Sequence, residues 1–238
     1  MTMFIEIMRI SLATIRVPEN RLYDSVTERW LRTYERFMPQ IEHDLIVVDS
    51  DITGPRGEHG LFTDDFRVYT GGGWDCGIWQ WLAKTVDCDL LICTNTSAYF
   101  TRAGWMERFV EAFKQHGPGL YGSMTSLEVS PHVRTPVYVF PPEIMRDYPM
   151  LCDSRPKTYT FECLGMKDTF TSFCRRKGLP TMLVTWDGCW DLPDWRKPDN
   201  IFRRGDQSNI LVKDRHADNY EASDEAGKAN LARMADGL

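Results

Sequence analysis

The sequence predicts an α/β protein: a three-layer, mostly parallel, Rossmann-like sheet followed by a small irregular C-terminal lobe. Three observations carry this. Apolar strand-like runs alternate with amphipathic helical stretches through the first 123 residues. Several of those runs end in polar loops, as the strands of open α/β sheets do where they bind ligands. From about residue 150 the alternation gives way to an irregular, aromatic and charged stretch that includes WDGCWDLPDWRKPDN.

The elements follow in order. Residues 4–12 (FIEIMRISL) read as a buried first strand. Glu6 and Arg9 within it argue for a strand rather than a leader peptide. Pro18-Glu19-Asn20 opens a helix over 20–37, with Leu22, Val26, Trp30 and Tyr34 at helical spacing. Residues 44–49 (DLIVVD) form the second strand, and a loop rich in Gly, Pro and Asp covers 50–64. A short strand at 66–69 leads to Gly71-Gly72-Gly73, and 74–86 are helical. The strand Leu90–Cys93 then ends in the polar loop Thr94-Asn95-Thr96-Ser97. A helix over 103–116 stops at Gly117-Pro118-Gly119. Strands at 119–123 and 134–140, a helix near 165–177 and a strand near 181–186 complete the pattern. Residues 218–238 read as a surface helix or frayed tail, which leaves 1–217 as one domain.

Composition narrows the function classes. The chain has 238 residues, 42% of them hydrophobic, which is ample for a core. A net charge of −6 argues against a general nucleic-acid binder, although Arg196, Arg203, Arg204 and Arg215 could make a local basic cleft. Seven single cysteines (76, 88, 93, 152, 163, 174 and 189), with no CxxC pair, predict neither a disulfide framework nor a structural zinc. A reducing, cytoplasmic setting is the expectation, and no stretch has the apolar length of a membrane helix. Trp186, Trp190 and Trp195 look exposed and suited to stacking on a sugar ring or base, or alternatively belong to the core of a second lobe.

The order of parts resembles a GT-A glycosyltransferase, closest to the family 2 type. The resemblance rests on Ala13–Asn20 after the first strand, Val47-Val48-Asp49 at the end of the second, Gly71–Gly77 entering a helix, and Ala103-Gly104-Trp105-Met106-Glu107-Arg108-Phe109 opening another. It covers roughly residues 4–123, with a weaker match to about 186. It implies a donor-binding half over about 1–123 and an acceptor half over about 124–217. It implies a nucleotide-sugar donor contacted by Thr14, Arg16, Asp49, Gly72, Gly73, Asp75, Asn95, Ser97 and Arg204. The family's metal-binding DxD position reads Asn95-Thr96-Ser97, or Thr94-Asn95-Thr96 in a shifted register. Mg²⁺ or Mn²⁺ would be held weakly there without a carboxylate, and Arg or Lys could neutralise the leaving diphosphate instead. His216 is a candidate metal or diphosphate contact. An inverting mechanism needs a base, for which Glu162 is the first candidate and Asp153, Asp168 and Asp206 follow.

Each residue has a plainer reading. Asp49 and Asp75 could cap helices or form turns, Gly71–Gly73 could be an ordinary turn, and Trp105 could sit in the core. Glu162 could be a salt-bridged acid, and His216 and the arginines could be solvated. The acceptor is left open among a glycan, a protein, a lipid-linked sugar and a modified nucleobase. The alternative function is a non-catalytic nucleotide-sugar or glycan binder on the same fold. A dinucleotide-cofactor enzyme is disfavoured, because no G-x-G-x-x-G follows the first strand.

Overall fold

Strand β1 (Ile10–Arg16) forms the inner rail of an eight-stranded sheet, because its odd and even side chains each meet a layer of helices. The computed structural model describes residues 8–17, 21–50, 65–71, 74–149 and 169–238. After β1 come helix α1 (Arg21–Arg36), β2 (Asp44–Ser50), β3 (Asp65–Tyr69), α2 (Trp74–Thr85), β4 (Leu90–Thr94), β5 (Tyr99–Phe100) and α3 (Trp105–His116). The chain continues through β6 (Leu120–Gly122), β7 (Thr125–Ser126), β8 (His132–Val133), β9 (Val137–Phe140) and α4 (Pro142–Arg146). It closes with α5 (Phe170–Arg176), β10 (Thr181–Val184), β11 (Cys189–Asp191), β12 (Val212–Lys213), α6 (Arg215–Ala222) and α7 (Glu225–Ala235).

The sheet order is β11-β10-β6-β9-β4-β1-β2-β3. The pairs β1/β2, β1/β4, β2/β3 and β6/β10 are parallel, and β9 runs against both β4 and β6. Burial on both faces explains the continuous apolar runs of the central strands. Ile10 and Leu12 of β1 face a core with Trp30, Leu90, Ile92, Trp105 and Phe109. Ala13 and Ile15 face the opposite core with Trp79, Leu82, Leu91, Phe140 and Phe170. This two-residue alternation makes the predicted three layers. Trp105 is fully buried and stacks on Phe100 at 4.1 Å between centroids, which bears out the core reading.

Two expectations are corrected. The first strand was expected at 4–12, of which 4–7 lie outside the described residues; the described strand is Ile10–Arg16, so Ala13-Thr14-Ile15-Arg16 belong to it. The reason is register: Ser11–Arg16 pair with Asp44–Asp49, and Ile10–Thr14 with Leu90–Thr94. Arg9 anchors the start of that strand on Asp87 at 2.6 Å and Asp89 at 3.3 Å. Residues 217 and 218 both lie in α6, whose first turn is capped by the Asp214 carboxylate. The C-terminal stretch carries α6 and α7 and is tied to the rest of the chain: Leu127 donates its backbone N–H to the Ala235 carbonyl at 2.8 Å, and Arg196 pairs with Asp236 at 2.6 Å. Trp195 is fully buried, its Nε1 donating to the Thr181 carbonyl at 3.0 Å, so it offers no stacking surface. No described helix is long and apolar enough to cross a membrane.

Candidate functional site

Six strands (β1, β2, β3, β4, β6 and β10) point the same way, so their carboxyl ends share one edge of the sheet. That edge is where open α/β sheets bind ligands. It gathers Arg16, Asp49, the turn after β4 and the segment between β6 and β9.

Arg16 and Asp49 end neighbouring parallel strands and pair directly across the register. The guanidinium holds the carboxylate in a two-point fork, Nε to Oδ1 at 2.7 Å and Nη2 to Oδ2 at 2.6 Å. Each residue is only 5% exposed. A bidentate pair is strong in geometry, yet burying both charges costs much of what their attraction returns. Arg16 Nη1 is buried without an acceptor. An unsatisfied buried donor is costly, and a ligand oxygen placed against it would remove that cost. Two residues predicted as separate donor contacts are therefore one unit in which Nη1 is unused.

The turn after β4 is built by side chains. Trp30 Nε1 donates to Thr94 Oγ1 at 3.1 Å, and Thr94 Oγ1 donates to the Ala13 carbonyl at 3.0 Å. Thr14 lies opposite Thr94 in the register and is buried. Asn95 Oδ1 accepts from the Ser97 backbone N–H at 3.1 Å and from Ser97 Oγ at 3.3 Å. This is an Asx turn, with the carboxamide oxygen mimicking a backbone carbonyl. The Asn95 N–H donates to the Pro136 carbonyl at 3.3 Å, tying the turn to the segment before β9.

The turn does not fit a hard divalent cation. Such ions want several oxygen ligands, chiefly carboxylates. Asn95 Oδ1 is already engaged by Ser97, and the remaining groups at 95–97 are neutral hydroxyls and amides. Among the described residues no three His, Cys, Asp or Glu side chains converge on a metal position.

The other predicted residues are more dispersed. Asp75 lies in the first turn of α2, half-buried, where a carboxylate complements the helix dipole. Arg204 Nη1 donates to the Arg196 carbonyl and so braces the C-terminal lobe. His216 starts α6, with its backbone N–H donating to Asp214 Oδ1 at 2.9 Å. Asp206 is exposed and accepts the Ser208 N–H at 2.9 Å. Hydrogen bonds from the Ser208 side chain and backbone hold the Asp206 carboxyl below the ordinary carboxylate value. An acid that readily gives up its proton is a weak base at neutral pH. Gly72, Gly73, Asp153, Glu162 and Asp168 lie outside the described residues.

Sequence reading missed Arg134 and did not pair it with Arg203. Their guanidinium carbons lie 4.7 Å and 4.9 Å from the centre of the Phe202 ring, and each residue is 7% exposed. Burial pushes the Arg203 guanidinium below its ordinary value, and the charge of Arg134 adds to that. Arg134 had no signal of its own, being a single arginine in SPHVRTPV, 69 positions before Arg203.

No protein-family model matches the sequence, and no curated protein matches it significantly. Solved structures similar to this chain include TarS from S. aureus, with a TM-score of 0.45 and 10% identity over 69% of this chain and 33% of that one. Another is the mannosyltransferase PcManGT from Pyrobaculum calidifontis, solved with GDP-Man and Mn²⁺, with a TM-score of 0.48 and 11% identity over 62% of this chain and 48% of that one. HddC from Yersinia pseudotuberculosis has a TM-score of 0.40 and 14% identity over 60% of this chain and 80% of that one. This chain thus spans about a third of TarS and about half of PcManGT.

Proposed function

We propose that the chain is a GT-A-type glycosyltransferase that binds a nucleotide-sugar at the carboxyl edge and passes the sugar to an acceptor hydroxyl. The buried Arg16–Asp49 fork, with Arg16 Nη1 unused, carries this reading. It offers a nucleotide the N–H groups of Nη1 and two carboxylate oxygens that each retain a lone pair. The motif order along the sequence and the parallel strands β1–β4 support the same reading.

In this mechanism the acceptor oxygen attacks the anomeric carbon as the bond to the diphosphate breaks. The acceptor proton passes to a carboxylate base, and inversion follows from attack on the opposite face. Glu162 is the proposed base on the family register, with Asp153 the next candidate; the exposed, hydrogen-bonded Asp206 is the weakest of the three. The neutral turn at Asn95–Ser97 favours a second reading, a donor-binding protein without turnover. A panel of nucleotide-sugars, assayed for release of nucleoside diphosphate with simple sugar and peptide acceptors, separates the two. The transferase reading expects release from one donor class, accelerated by an acceptor. Donor binding without release supports the second reading, and absence of donor binding contradicts both.

A further inference from the structure

Strand β3 is an edge of the large sheet, and its side chains alternate between two faces. Tyr69 packs toward the α2 core, its ring 5.5 Å from that of Trp81. Asp65 and Arg67, on the same face as Tyr69, pair with each other at 2.8 Å. Phe66 and Val68 take the opposite face and are 45% and 37% exposed. They are the large apolar side chains of the described strands that stay open to water. Edge strands usually carry charge or proline at such positions, because exposed apolar edges invite aggregation. A phenyl ring kept there needs a reason.

The strand register places the Arg16–Asp49 fork beside that ring. Val47 lies opposite both Thr14 and Phe66, and Asp49 lies opposite both Arg16 and Val68. Phe66 and Val68 therefore share their face of the sheet with the fork. The Arg16 guanidinium carbon is 5.7 Å from the centre of the Phe66 ring. Along this one face a buried fork, with Nη1 unused, gives way to an apolar shelf on the outermost strand. Such a pairing suits a ligand with a polar edge and an apolar flat face, which is the chemistry of a nucleobase. The exposed parts of the two side chains offer on the order of 100 Å². A stable protein–protein contact needs roughly 800 Å² on each partner, so a second copy of the chain is the poorer fit.

We propose that Phe66, flanked by Val68, is the platform on which the nucleobase of the donor stacks, with the edge of the base turned to the Arg16–Asp49 fork. Stacking on an aromatic ring tolerates any base, because every base has a π-face. Discrimination among bases then falls to the fork, whose carboxylate oxygens accept hydrogen bonds and whose Nη1 donates them. This assignment rests on the nucleotide-sugar reading of the same edge and adds to it the residue that holds the base.

The test is calorimetric titration of the full-length protein with UDP, GDP, ADP and CDP, with and without added Mn²⁺, using wild type beside Phe66→Ala and Phe66→Trp. Wild type is expected to bind at least one of these nucleotides. Phe66→Ala should weaken that binding about ten- to a hundredfold, the loss expected when a stacked aromatic is truncated. Phe66→Trp keeps a π-face and should bind within a few fold of wild type, with the fluorescence of the added indole quenched as the base stacks. A Phe66→Ala protein that binds as tightly as wild type overturns the platform and leaves the nucleotide-sugar reading in place. Loss of binding in both variants also overturns it, since a stacking platform would accept the indole. If wild type binds none of the four nucleotides, the platform and the nucleotide-sugar reading fall together. If wild type sediments as a dimer that Phe66→Ala dissociates without changing nucleotide affinity, the face is a contact between copies and the proposal falls. If the base stacks but no nucleotide-sugar is turned over, the platform stands and the transferase reading falls.

Discussion

Asp49 has two jobs that a single alanine substitution would confuse. In the proposed function it touches the donor, and in the structure it neutralises a buried arginine. Removing one partner of a buried pair typically costs about 3–5 kcal/mol, because the other charge is left stranded. Asp49→Ala should therefore lower unfolding stability by about that much in urea denaturation. The paired change Arg16→Met with Asp49→Leu should recover most of the loss while abolishing any ligand contact made by the fork. A stable Asp49→Ala protein, within about 1 kcal/mol of the parent, would mean that water or ligand already satisfies Arg16. That Asp49 ends a strand was legible in the sequence, and the family resemblance singled out Arg16. Their mutual engagement was not, since the register of two strands 33 residues apart depends on which face of each is buried.

At the scale of elements, β6 and β10 meet so closely that side-chain volume decides the contact. A Cβ built on Gly119 would lie 2.5 Å from the Pro180 carbonyl oxygen, which accepts the Leu120 N–H at 2.9 Å. Both atoms belong to backbone, so neither can swing aside. Gly119→Ala should cost about 1–3 kcal/mol, as overpacking does elsewhere, read as a lower melting temperature with unchanged secondary structure by circular dichroism. An unchanged melting temperature would refute the close approach of the two strands. The sequence showed Gly117-Pro118-Gly119 as a helix stop, which it is, with the Gly117 N–H returning to the Phe113 carbonyl. It could not show the second duty of Gly119, which comes from a strand 61 positions away. Long helices such as α1 and α3 were read closely, because 3.6-residue periodicity is local information. The short strands β5, β7, β8 and β12, of two residues each, carry no periodicity and were missed.

Taken as a whole molecule, the chain places the Arg16–Asp49 fork on the parallel half of the sheet, Arg134 on the β6–β9 connection and Arg203 in the C-terminal lobe. The turn at Asn95–Ser97 offers a divalent ion no carboxylate. Treatment with EDTA is accordingly expected to leave more than about a tenth of any transfer activity, a barrier change below ~1.4 kcal/mol. A complete loss restored by Mn²⁺ would locate a metal site on residues other than Asn95–Ser97. Arg134 and Phe202 show why this part of the molecule could not be read from the sequence. Neither belongs to a motif, and only the three-dimensional path of the β6–β9 connection and the C-terminal lobe brings them together.

The central claim is that the Arg16–Asp49 edge receives a nucleotide-sugar. Thermal shift against a panel of nucleotide-sugars in EDTA tests it most directly, using wild type beside the Arg16→Met, Asp49→Leu double variant. A ligand that binds only the native state at about 100 times its Kd stabilises it by about 2.7 kcal/mol, a shift readily seen in the midpoint. The account predicts that one nucleotide class raises the wild-type midpoint by several degrees and leaves the folded double variant unmoved. An equal rise in both proteins, or no rise with any nucleotide-sugar, would contradict it.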